Sequence, residues 1–357
     1  MFKGKSPEKL LILAEIQESA LVARTLAEKY SDISAVLQST LNSVKPAKVV
    51  HTGCGSSYYA ASFGAYPLHF SRVSGYSLPA SELIYLLSRA TREDLGQAPA
   101  AVFYSRSGET REVVLALRQA RSLGLSTIGL TCSEGSTLHR ESDASVALSV
   151  CAEKSHYMTK SFIGLSLLGL IFSLLLAEKK AHVVDVKAEL MKLSEGVERI
   201  SSKRENIQEL VKTSLSKRNF VVLAPESLYA VALEASLKLV EVSYTFSTAL
   251  HALEFRHGPL ALREHAEDLQ LVVLSASSSP SVDYLHRLVD ELRHRGFDVL
   301  YISDEKGSDL EIPLWMNSQF AYLLHAIAMY YFAVERALLL GYNPDEPRHI
   351  DRVVKTV

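Results

Sequence analysis

Residues 47–57 read AKVVHTGCGSS, and residues 58–70 continue YYAASFGAYPLHF. A short β-branched run, a glycine turn and a helix-compatible stretch in that order form the first half of a strand–turn–helix unit. The same order follows at residues 100–132. There AAVFYS leads into RSGET, then REVVLALRQARSLG, whose Val113, Val114, Leu117 and Ala120 recur at helical spacing, and then the strand-like STIGLTC. Parallel strands need crossovers long enough to hold a helix, so this alternation predicts a parallel sheet covered on both faces.

The pattern recurs about 170 residues later. NFVVLAPES (219–227) leads into LYAVALEASLKLVEVSY (228–244), and LQLVVLSAS (269–277) leads into SVDYLHRLVDELRHRGFDVLYIS (281–303). A chain of 357 residues is also long for one core and fits two. The reading is a tandem duplication: an N-terminal helical segment over 1–45, one α/β domain over 46–178, a helical linker over 179–217, a second α/β domain over 218–340, and a tail over 341–357.

Composition narrows the function classes. The net charge of -2 comes from well-mixed signs, so nothing favours nucleic acid as a partner. The apolar run FIGLSLLGLIFSLLLA (162–177) falls short of the roughly 20 residues of a membrane span and reads as a buried helix. The N-terminal stretch lacks a leader's cleavage site, which predicts no export signal. Cys54, Cys132 and Cys151 are an odd set without CxxC pairing, which argues against a disulfide framework or a structural zinc site and fits a reducing compartment. The histidines show no metal-ligand spacing such as HExxH, so neither metal nor cofactor is expected.

Candidate chemistry falls into two groups. Ser105–Thr110 joins a strand end to a helix start, where backbone N–H groups and the helix dipole favour an anion. Ser107 or Thr110 could equally be plain N-caps. The loop holding Gly55, Ser56 and Ser57 should lie at the same sheet edge, where open α/β sheets bind ligands. The second copy lacks SGET and has Ser275-Ala276-Ser277-Ser278 in its place, which assigns a phosphate site to the first copy.

Farther on, Lys238 and Glu241 are three apart and share a helix face. A carboxylate there could move a proton between adjacent carbons, or the two could form a surface ion pair. His257, before Gly258-Pro259, could exchange a proton with a ligand or be structural.

The segments GCGSSYYAA, YSRSGETREV, EKSHYMTKSF, EASLKLVEVSYTFSTALHALEFRHGPLAL and NPDEPRHIDRVV resemble, in order and similar spacing, those of the tandem sugar isomerase (SIS) family. The resemblance is to the isomerase half of glucosamine-6-phosphate synthase and to stand-alone SIS deaminases and ketose isomerases. It implies two doubly wound, flavodoxin-like three-layer α/β/α domains. It implies that Gly55, Ser56, Ser57, Ser105, Arg106, Ser107, Thr110 and Thr159 hold a sugar phosphate, that Glu241 with Lys238 shuttles a proton, and that His257 assists ring opening. It further implies a cytoplasmic homodimer in which the histidine comes from a neighbouring subunit.

Three departures from the synthase pattern matter. The sequence starts at the linker-like helix, so no glutaminase domain is expected. Arg352 stands where the synthase has its Schiff-base lysine, and arginine stays protonated. Met158 and Arg106 replace a serine and a glutamine. Together they point to glucosamine-6-phosphate deamination, with a galactosamine- or tagatose-type isomerase or deaminase, or a non-catalytic sugar-phosphate sensor, as alternatives.

Overall fold

The computed structural model describes residues 10–96, 99–177, 184–313 and 315–350. In chain order the helices and strands are α1 (Leu11–Gln17), α2 (Ser19–Val44), β1 (Lys48–Gly53), α3 (Ser56–Ala65), β2 (Ser74–Pro79), α4 (Ala80–Arg89), β3 (Pro99–Ser105) and α5 (Arg111–Ser122). Then come β4 (Ser126–Thr131), α6 (Thr137–Glu141), β5 (Ala144–Ala147), α7 (Lys160–Leu176), α8 (Val186–Ser202) and α9 (Arg204–Thr213). The remainder is β6 (Asn219–Ala224), α10 (Leu228–Ser243), β7 (Phe246–His251), β8 (Leu269–Leu274), α11 (Val282–His294), β9 (Asp298–Ser303), β10 (Leu310–Glu311) and α12 (Ser318–Leu339).

The chain divides into two compact units. One contains Leu21–Lys154 and Lys160–Met191, the other the residues up to Ala20, Ser155–Thr159 and Lys192–Ile350. Each is built on a five-stranded sheet, ordered β2-β1-β3-β4-β5 in the first and β10-β9-β8-β6-β7 in the second. All pairings are parallel. Read from the β7 edge, the second order repeats the first, so the duplication seen in the sequence is a duplication of topology. Two tandem doubly wound α/β domains result.

The central strands are apolar on both faces because helices cover both. Every residue of β3 and of β8 is buried. In the first unit Val50, Phe103, Leu83 and Leu117 share a core cluster, and in the second Val221, Leu271, Leu288 and Phe297 do. Burying one such side chain contributes about 1.5–3 kcal/mol. The edge strands β2 and β7 carry more exposed residues and a weaker apolar pattern.

The apolar run is α7, buried along nearly its whole length. It meets α3 closely: a Cβ on Gly64 would lie 2.9 Å from Gly169 Cα and 2.6 Å from the Tyr104 hydroxyl. Only glycine allows that approach. Among the described residues no helix is long and apolar enough to cross a membrane.

The cysteine argument needs correction. Cys132, just past β4, and Cys151 form a disulfide with Cα atoms 5.5 Å apart, while Cys54 is free. An odd count leaves one thiol over but does not keep the other two apart, and these two come together through the β4–β5 connection. Cysteine usage therefore assigns no compartment.

Candidate active site

In the first unit β1 and β3 run in register from Lys48 opposite Pro99 to Thr52 opposite Phe103. The loops after Gly53 and Ser105 therefore leave the sheet side by side. The chain turns to opposite sides after β1 and β3, which makes the carboxyl ends of these two strands the point of reversal at which doubly wound sheets take ligands.

The first loop needs its glycines. A Cβ on Gly53 would sit 2.7 Å from the Ser57 carbonyl carbon, and Gly55 has φ +52°. Ser56 and Ser57 open α3 and are buried. In the second loop the Ser105 hydroxyl accepts from the Gly108 amide at 3.0 Å and lies 3.3 Å from the Thr110 hydroxyl. Ser107 Oγ accepts from the Glu109 amide at 3.1 Å. Thr110 occupies the N-cap position of α5, but its side chain makes no capping bond. Its hydroxyl is thus turned to the loop, and the plain N-cap reading does not describe it.

Arg106 is held at both ends. Its carbonyl accepts from Cys132 N at 3.3 Å, Thr131 Oγ1 at 3.3 Å and Ser133 Oγ at 3.1 Å. Its guanidinium pairs with Glu153 at 3.4 Å. Glu109 turns the other way, its carboxylate accepting from the amide and hydroxyl of Thr137 at 2.7 and 2.8 Å.

In the second unit the candidate acid–base residues lie on α10, which follows β6 as α3 follows β1. Lys238 is buried, 1% exposed, with its ammonium 3.3 Å from Glu234 and 2.5 Å from Glu241. The Tyr330 hydroxyl donates to Glu234 at 3.2 Å. Burial disfavours the Lys238 ammonium, but the charges of Glu234 and Glu241 and their hydrogen bonds outweigh it and hold its pKa above the ordinary lysine value. The Glu241 side chain retains 23% exposure, whereas that of Glu234 has none. Of the two carboxylates, Glu241 is the one a ligand can reach.

Tyr157 joins this unit through the Ser155–Thr159 segment. Its phenol is pushed up by burial and by the charges of Tyr244, Glu241 and Asp345. Thr159 is fully buried in the same segment. The chain beyond α12 returns to the end of α10, where the Arg348 amide donates to the Tyr244 hydroxyl at 2.8 Å. Asp345 accepts from the Leu11 and Ile12 amides at 2.8 and 3.1 Å.

His257 is placed differently. It ends the short 3-10 turn Ala252–Arg256, is exposed, and its ring makes no hydrogen bond to the described residues. The structure thus brings Lys238 and Glu241 together and leaves His257 on an open turn. Arg352 lies outside the described residues. Among those residues no group of three histidine, cysteine or acidic side chains could hold a metal ion.

Glu234 escaped the sequence reading although its signal was present: four residues before Lys238, it lies on the same helix face. Glu153 gave no such signal, because its partners Arg106 and Ser161 are distant or sit on another element.

Known proteins provide a context for this geometry. The SIS domain family matches residues 43–174. Glutamine–fructose-6-phosphate aminotransferase (isomerizing) of Leifsonia xyli subsp. xyli is 29% identical over 325 residues, 86% of this chain and 51% of the relative. The protein of that name from Pyrococcus horikoshii is 28% identical over 318 residues, again 86% and 51%. The chain spans about half the length of these relatives. Among solved structures, glucosamine-6-phosphate deaminase from Thermotoga maritima superposes with a TM-score of 0.76 at 27% identity, covering 96% of this chain and 99% of that one. Tagatose-6-phosphate ketose/aldose isomerase from Escherichia coli gives 0.79 at 18%, with 97% of each chain covered, a likeness of fold. The SIS domain match thus falls on residues 43–174, and the second unit repeats the strand order of that matched unit.

Proposed function

We propose that this chain is a glucosamine-6-phosphate deaminase, converting glucosamine 6-phosphate and water to fructose 6-phosphate and ammonia. The observation that carries the proposal is the row Glu234–Lys238–Glu241, in which a buried ammonium joins two carboxylates and Glu241 alone retains access. Whole-chain likeness to the Thermotoga maritima deaminase supports the choice of substrate.

In this reading the Ser105–Thr110 and Gly55–Ser57 loops hold the phosphate and sugar hydroxyls, with Arg106 adding charge. His257 moves a proton from O1 to O5 as the ring opens to the aldehyde. Glu241 takes the proton from C2 and returns it to C1, while O1 gains a proton and the amine nitrogen loses one, leaving a C2 imine. Lys238 keeps Glu241 oriented through both transfers. Water adds to C2 and ammonia leaves, so the ketose forms without net oxidation. The exposure of His257 fits a ring supplied to the site of a second copy, which makes a homodimer the smallest active form.

The test is release of ammonia and fructose 6-phosphate from glucosamine 6-phosphate without glutamine, with galactosamine 6-phosphate run in parallel. Equal release of both products from the first substrate supports the proposal. Release only from the second moves the assignment to the other epimer, and binding without turnover makes the chain a sensor.

A further inference from the structure

We infer that Glu153 is a positioning residue for the anion-binding loop: it holds the guanidinium of Arg106, a residue of that loop, and thereby sets the loop's affinity for a phosphoryl group. The inference rests on the phosphosugar reading of that loop and adds a residue which touches no substrate.

Glu153 is 3% exposed. A buried carboxylate costs several kcal/mol unless it is compensated. Compensation comes from the start of α7, where Ser161 donates its amide at 3.1 Å and its hydroxyl at 2.6 Å. The positive end of the α7 dipole adds about half a charge. Glu153 is therefore fixed by the start of α7, and Arg106 is laid against a ready-made acceptor at 3.4 Å.

The backbone closes the frame. The Arg106 carbonyl accepts from the Cys132 amide, and Cys132 is bridged to Cys151, two residues before Glu153. Head and root of the side chain are thus tied to one stapled segment. An unrestrained arginine has rotamer freedom to lose on binding, and fixing it beforehand raises affinity. The Glu153 charge would oppose an incoming anion, but α7, Ser161 and Arg106 already neutralise it in place. Positioning outweighs repulsion.

The experiment measures the Kd of fructose 6-phosphate by calorimetry for the full chain, E153Q, R106Q and the double variant, alongside kcat and KM. The expected result is about tenfold weaker binding in E153Q, a rise in KM with kcat little changed, and no further loss when E153Q is added to R106Q. If E153Q fails to fold, Ser161→Ala, which loosens Glu153 without altering charge, is expected to weaken binding severalfold in the same Arg106-dependent way. Unchanged or tighter binding in folded E153Q, or an equal loss in the R106Q background, overturns the inference. If the unaltered chain binds no sugar phosphate, the phosphosugar reading itself fails and takes this one with it.

Discussion

The Lys238 ammonium lies 2.5 Å from the Glu241 carboxylate, with the lysine buried to 1% and the acid left 23% exposed. The pair is thus a buried donor serving an accessible acceptor, unlike a solvated ion pair on a helix surface. Its consequence is testable at each end.

At the exposed end, E241Q keeps size and hydrogen bonding but removes the base. Turnover of glucosamine 6-phosphate is expected to fall by about 10³-fold, within the usual range for general acid–base groups. Sugar phosphate affinity, read by calorimetry, stays within a fewfold. Unchanged turnover in a folded variant removes Glu241 from the mechanism.

At the buried end, Lys238→Met takes the ammonium away from the buried Glu234. A loss of about 3–5 kcal/mol in urea unfolding is expected. The folded pKa of Lys238 is raised, so its stabilisation is fully present below the unfolded value of 10.5 and is lost as pH climbs through the folded one. The gap between wild type and variant should accordingly hold at neutral pH and narrow only in strong alkali. A gap that closes near pH 7 contradicts the buried-ammonium geometry.

Much of this was legible because the central strands announce themselves. Runs such as AAVFYS and LQLVVLS are apolar throughout, which only strands covered on both faces tolerate. Edge strands β2 and β7 read as SGYSLP and FSTALH, half polar, and no periodicity separates them from loops. The SGET loop was legible for the same reason as the strands, since chemistry at a strand–helix junction is local in sequence. Lys238 with Glu241 was legible as helical spacing, but its burial was not, because burial depends on α12 and Tyr330, about 90 residues away. The Cys132–Cys151 bridge and Glu153 were hidden likewise: each is made by the fold's return, which spacing along the chain does not encode.

That bridge makes its own prediction. Peptide mapping under non-oxidising, alkylating conditions is expected to recover Cys132 joined to Cys151 and Cys54 as a free thiol. With a sequence separation of 19, the bridge should contribute about 3 kcal/mol by constraining the unfolded chain. C151S, or reduction in urea, therefore lowers the unfolding midpoint. Recovery of all three thiols free from the native protein excludes the bridge.

Acid should destabilise the protein through the two histidines that are buried among the described residues, one in each unit. His51 Nδ1 lies 2.8 Å from the Tyr104 hydroxyl inside the first core, and burial lowers its pKa to about 3. His325 Nε2 lies 2.9 Å from the Ser275 carbonyl, and burial, only partly offset by that bond and Asp304, lowers its pKa to about 4. Both are neutral when folded, whereas the unfolded chain takes up protons below about pH 6.5. The unfolded state thus binds more protons, and stability, complete above pH 6.5, falls as pH drops toward the folded values. Each histidine costs about 1.4 kcal/mol per pH unit in that window. The loss ends near pH 4 for His325 and near pH 3 for His51. Urea unfolding of wild type and H51Q at pH 7.5, 6 and 5 measures the effect. Wild type loses stability more steeply than H51Q on acidification, because glutamine does not titrate. Parallel curves for the two would show that His51 is protonated in the fold, which its place against Tyr104 in a closed core forbids.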